Sequence, residues 1–343
     1  MIALAEILRR HWPAYRAQFG NRIPWAQRAA VTAILSCRTP ALGGQLHACA
    51  CGQTKYVYHS CGHRACLQCG QADAAEWTEK QKAKLLPVPY FLVTFTVPEQ
   101  LRRIIRDHPE VLLARLFQES AGTLQDIARH RKHLGAQLGL LGVLHTWTRQ
   151  LEYHPHIHYL IPGGGLRPDG LRWCQVADPQ FFLPERLLAA RWRSRLRQAL
   201  REDHPALYRQ IPGEAWTRGW VVDVLPVGGG QTALQYLSAY IYKTALSPPR
   251  LVACDEHTVT FTWRNRVTNR DQPLRLPAAE FLRRFPQHVL PSAFQRVRTF
   301  ARPSTTSPPR RHPTQALPAR HSAHPPSPPP TAPPNTTCHH AHH

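Results

Sequence analysis

The chain has 343 residues, with 43 Lys and Arg against 21 Asp and Glu, a formal charge of +22 and a pI near 10.4. That length can bury a substantial core, which excludes a disulfide-stapled peptide. No stretch reaches the roughly 18 apolar residues of a membrane span, and "MIALAEILRRHW" brings acid and arginine too early for a signal peptide. The positive excess runs through almost every segment, so a polyanion is expected as partner, nucleic acid above all, in a cytoplasmic protein with no membrane association.

From the N-terminus, the first distinctive feature is a cysteine-rich stretch. Six of the nine cysteines fall between Cys37 and Cys69, in "SCRTPALGGQLHACACG" and "YHSCGHRACLQCG". In a reducing compartment such clustering reads as metal binding rather than disulfides. The candidate zinc ligands are Cys37, Cys49, Cys51, Cys61, Cys66 and Cys69, with His47, His59 and His63 among them. Cys66 and Cys69 have the two-residue spacing that brings both sulfurs of a knuckle turn to one ion, and a second pair comes from upstream.

From "PYFLVTFTVPE" the pattern becomes mixed. A strand is expected there, then a helical stretch from about Leu101 to Leu134, then strands in "LGLLGVLHTW" and "HIHYLIP", the last ended by "GGG". A helix follows across "PERLLAARWRSRLRQALRE", a strand in "GWVVDVLP", a helix in "TALQYLSAYIYKTAL" and short strands around "TVTFTW". After about Arg302 the chain turns rich in Pro, Ser, Thr and His with almost nothing apolar to bury, and a disordered tail is expected over 303–343.

Two patterns carry chemistry. On a strand, residues two apart share a face, so His156 and His158 project together while Ile157 is buried on the other side. Two imidazoles on one rigid strand make half a site for a divalent ion; Glu152, His145 and His154 are the candidates for a third ligand. On a helix, Tyr236, Tyr240 and Lys243 share a face, the tyrosines about 6 Å apart along the axis, with Tyr242 on the opposite side.

These motifs together resemble the insertion sequence ninety-one family of rolling-circle transposases, within the HUH nuclease superfamily, over about Ile2 to Arg302. The matching stretches are "CRTPALGG", "YHSCGHRACLQCG", "VPYFLVTFTVPEQL", "LEYHPHIHYLIPGGGL", "YLSAYIYK" and "LPAAEFLRRFPQHVLPSAFQRVR". The resemblance implies an α+β protein: a zinc-binding domain over 1–88, then over 89–302 a nuclease domain with a central antiparallel sheet flanked by helices. It implies Zn2+ in the first and Mg2+ or Mn2+ on His156 and His158 in the second. It further implies single-stranded DNA and mobile-element ends as partners, cut and rejoined through a 5′-phosphotyrosine. Tyr240 is expected as the principal nucleophile, since "YIYK" resembles the Tyr-x-x-Lys motif of rolling-circle initiators, with Tyr236 for a second transfer and Lys243 to stabilise developing charge. Rival expectations are a plasmid relaxase or replication initiator, and a zinc-dependent DNA-binding regulator without catalysis.

Overall fold

The strand that holds the paired histidines, Tyr153–Pro162, organises the molecule through its alternation. Ile157, Tyr159 and Ile161 are 1, 0 and 0% exposed on one side, while His156, His158 and Leu160 point to the other. The structure, a computed structural model, describes residues 2–69, 71–242, 245–265 and 267–300, apart from the side chains at 71–73, 239, 240 and 242; Lys243 and the tail lie outside the described residues.

In chain order the helices and strands are α1 (Leu4–Phe19), α2 (Trp25–Ser36), β1 (Gly44–Ala48), β2 (Thr54–Tyr58), α3 (Gln71–Lys82), β3 (Tyr90–Thr96), α4 (Glu99–Asp107), α5 (Pro109–Arg129), β4 (Leu140–Trp147) and β5 (Tyr153–Pro162). Then come β6 (Gly164–Leu166), β7 (Trp173–Gln175), α6 (Glu185–Asp203), α7 (Pro205–Tyr208), β8 (Val221–Pro226), α8 (Gln231–Tyr242), β9 (Leu251–Cys254), β10 (Thr258–Arg264), β11 (Asp271–Pro277), α9 (Ala278–Arg284) and β12 (Val297–Phe300). None of the described helices is long and apolar enough to cross a membrane.

The central sheet runs β12-β4-β5-β3-β8, every pair antiparallel. Helices α5 and α6 cover one face, burying Leu113, Phe117, Leu124, Trp192 and Leu196 against Phe91, Phe95, Ile157 and Tyr159. Each such burial is worth about 1.5–3 kcal/mol, which makes this face the main source of stability. Tyr159 keeps its hydroxyl satisfied within that core, 2.7 Å from Ser120 Oγ and donating to the Phe117 carbonyl at 3.1 Å. On the opposite face α8 packs Leu234 and Leu237 against Val143 and Leu160, and α3 lies over α8.

The helical stretch expected over 101–134 is two helices, broken at His108–Pro109. Proline lacks the amide needed to continue a helix and drives the residue before it out of the helical region; His108 accordingly sits at φ −130°, ψ 56°. The "GGG" stretch after β5 is closely packed within the protein. A Cβ on Gly164 would lie 2.5 Å from the Cys174 carbonyl oxygen, and one on Gly165 2.4 Å from that of Gln137. Gly164 and Gly165 begin β6, which pairs with β7.

Helices α1 and α2 share a core with residues 261–285: Ile7, Leu8 and Val31 pack with Phe261, Phe281 and Phe285. Residues Met1–Arg302 cluster as one unit, so the segments before and after residue 88 pack together. The β1–β2 hairpin stands out from this core, with Leu46, Tyr56 and Val57 exposed.

Candidate metal centres

The antiparallel register of β4 against β5 sets His145 directly across from His156, and His158 follows two residues on along the same face. One nitrogen from each of His145, His156 and His158 lies within 4.8 Å of the others, so the three imidazoles converge on one point. Of the three candidates that sequence left open, His145 is the one whose ring stands with His156 and His158. Of the other two, Glu152 is exposed beside Arg284, and His154 contributes its backbone: its carbonyl accepts the Nδ1–H of His156 at 2.7 Å.

That hydrogen bond has a chemical consequence. A carbonyl only accepts, so His156 carries a proton on Nδ1. Thr94 Oγ1 plays the corresponding part for His158, 2.8 Å from its Nδ1. Thr94 faces His158 from the next strand, in the same register row as Asp223 beyond it. Burial, reinforced by the neighbouring imidazoles, holds the pKa of His145 well below the ordinary histidine value, and burial holds that of His154 down at about 4. His145 is thus a neutral donor at physiological pH. Three imidazoles fit a divalent transition-metal ion.

The site forms one wall of a cleft of about 1480 Å³. Tyr236, on α8, reaches into it with its ring 5.8 Å from that of His158 and 6.3 Å from that of His145. Ala233, Leu234 and Leu237 anchor that helix to the sheet, which is why Tyr236 is aimed at the histidines. Tyr240 and Tyr242 lie in the last turn of α8 with side chains outside the described residues. Arg149, Arg250 and Arg264 also line the cleft, where Asp223 is the single carboxylate among the described residues, its pKa raised by burial and then by the charge of Glu185.

The second centre gathers four sulfurs, those of Cys37, Cys61, Cys66 and Cys69. The Cys37–Cys69 and Cys61–Cys69 separations are 3.7 Å and the Cys66–Cys37 separation is 3.6 Å. Sulfurs about 2.3 Å from one ion form a tetrahedron of edge about 3.8 Å, so the thiols already stand at zinc geometry. The Cys61 amide donates to Cys37 Sγ and the His63 amide to Cys61 Sγ, both at 3.5 Å, an arrangement suited to thiolates. Burial pushes the Cys61 thiol up to about 11 and raises Cys66 as well; a dication among them would draw those protons off.

Cys49 and Cys51, expected among the ligands, sit apart in the exposed turn between β1 and β2, where the Cys49 amide donates to the Gln53 carbonyl at 2.8 Å. The hairpin carries them away from the tetrad because each of its strands is solvent-facing along its length. His63 is turned inward to accept the Ala65 amide on Nδ1, and His47 and His59 likewise stand outside the sulfur group. Thr94 and Asp223 were missed by sequence reading; their one signal is alternation within strands that carry no other mark of chemistry.

Residues 7–97 match a family model described as "Transposase zinc-binding domain", and residues 139–306 match one described as "Putative transposase". The chain is 37% identical over 316 residues to the "Putative transposase y4qJ" of Sinorhizobium fredii, covering 87% of this chain and 79% of that protein. It is 29% identical over 290 residues to the "Transposase for insertion sequence element IS801" of Pseudomonas savastanoi pv. phaseolicola, covering 79% of this chain and 68% of that protein. No solved structure matches.

Proposed function

Because the chain belongs to the insertion sequence ninety-one family of transposases, we propose that it cuts and rejoins single-stranded DNA at the ends of a mobile element, through a 5′-phosphotyrosine. The observation that carries this reading is the tyrosine ring of Tyr236 set 5.8 Å from His158 at a three-imidazole cluster, in a cleft lined by arginines.

His145, His156 and His158 would hold the divalent ion, with two of the rings oriented by hydrogen bonds at Nδ1. A bound ion would polarise a non-bridging oxygen of the scissile phosphate. Imidazole donors suit Mn2+ better than Mg2+, which prefers oxygen ligands. The Tyr236 hydroxyl gives up its proton and attacks phosphorus in line; the O–P bond to tyrosine forms as the bond to the 3′ oxygen breaks, and that oxygen takes a proton to become a free 3′-OH. Bond energy is retained for later joining. Tyr236 takes the first attack in this reading because its ring stands 5.8 Å from that of His158. Tyr240, one helical turn along, serves the second transfer, and Lys243 steadies the charge that develops on the phosphate.

The test is cleavage of a single strand carrying the element terminus, with Mn2+, followed by mass spectrometry of the adduct. DNA linked to Tyr236, absent in Tyr236→Phe and in His156→Ala, is the expected result. An active protein that forms no covalent adduct would refute the phosphotyrosine, and a protein that binds DNA without cutting it would be a regulator.

A further inference from the structure

A second hollow, of about 330 Å³, opens beside the cleft, and Trp147 and Ala245 line both. Three separate parts of the chain build it: Trp25 and Ala29 from α2, His63 and Arg64 from the zinc knuckle, and the 285–296 segment that leads into β12. Arg64 ties two of these together, donating to the carbonyls of Phe294 at 2.7 Å and Pro291 at 3.3 Å. The knuckle is thus fastened at the edge of the catalytic sheet.

The lining has the chemistry of a base pocket. Trp147, Phe285 and Leu290 supply apolar walls, and His63 and Ser292 supply polar edges. Arginine is present and no carboxylate lines it among the described residues, which suits a strand of phosphates. The volume, near the lower end of the roughly 300–1,000 Å³ range of ligand sites, suits one planar ring system. Trp25 is 69% exposed at the hollow, an unusual position for an indole and one that offers a flat stacking surface. The back wall stands close to the chemistry, since Trp147 stacks on His145 with ring centroids 5.7 Å apart and planes 14° from parallel.

Resting on the proposed reading of the neighbouring cleft, we propose that this hollow receives one unpaired base of the DNA strand, extruded beside the scissile phosphate. Trp25 stacks on that base and the zinc-knuckle segment 62–65 reads its edge. The zinc module then acts as a specificity element that grips the strand next to the cut, in addition to stabilising the fold. Extrusion is inexpensive here, because a single strand has no pairing to break.

The experiment measures binding of the full-length zinc-loaded protein to short single strands of the element terminus, without Mn2+, by fluorescence anisotropy. Each strand carries one abasic site, moved along the sequence. One position should lose about 5- to 150-fold in affinity, the range for one base–aromatic stack. In Trp25→Ala the intact strand should bind that much more weakly and the abasic position should cost nothing further. Ala29→Leu, which fills the hollow from one turn further along α2, should reproduce this pattern. Wild-type profiles in both variants, or a loss spread evenly over all positions, would overturn the proposal. Since binding is read without cleavage, a localised profile in a protein that never cuts would sink the catalytic reading alone.

Discussion

Thr94→Val tests the metal centre without touching a ligand. Thr94 Oγ1 stands 2.8 Å from His158 Nδ1, in a pair fixed by the β3–β5 register, and His158 is 6% exposed. Valine keeps the shape of the side chain and deletes the hydroxyl, so the ring loses the partner that fixes its orientation. Loss of such an outer partner weakens metal affinity or activity about 10- to 100-fold, or about 1.4–2.7 kcal/mol. The fold loses only one hydrogen bond, about 0.5–1.5 kcal/mol net, and survives. The assay is the rate of single-strand cleavage against Mn2+ concentration. Half-saturation should rise by 10- to 100-fold, with much of the rate recovered at high Mn2+. Thr96→Val is the control: Thr96 opposes His156, whose Nδ1 is already bonded to the His154 carbonyl, so half-saturation should not move. An unchanged half-saturation in Thr94→Val, or an equal shift in both variants, would refute the argument.

Among the three candidates for the third ligand, His145→Ala should abolish Mn2+ binding measured by calorimetry, whereas Glu152→Gln and His154→Ala should retain it, the latter because only the backbone of His154 is used. Elemental analysis should find zinc lost in Cys37→Ser and Cys61→Ser and kept in Cys49→Ser and Cys51→Ser, since only the first two belong to the tetrad. Burial holds the pKa of His288 down at about 3, between Thr146 and the Leu151 carbonyl, so the unfolded chain binds its proton first as pH falls. The stability it contributes is full above pH 6.5 and is lost below it. Urea denaturation should show about 2 kcal/mol less stability at pH 5 than at pH 7 from this group, and a smaller drop in His288→Gln.

Local rules decided much of this protein before any fold was known. Period-two alternation around Ile157 was enough to place His156 and His158 on one face, and helical period three to four was enough to put α8 under Tyr236. The helix expected over 101–134 is split at Pro109, itself a local signal. Partners distant in the chain are another matter. Which cysteines join Cys66 and Cys69 depends on how α2 delivers Cys37 and on the hairpin carrying Cys49 and Cys51 into solvent, and six cysteines in one stretch allow several such choices. The third imidazole and Thr94 belong to β4 and β3, and reach the site through strand register alone, which slips by one residue without leaving a mark on either strand. Sequence therefore determined which side chains carry the chemistry of each element, because side-chain direction follows the period of the backbone. Tertiary structure decided which elements meet, because that is settled by the packing of buried faces that no single element contains.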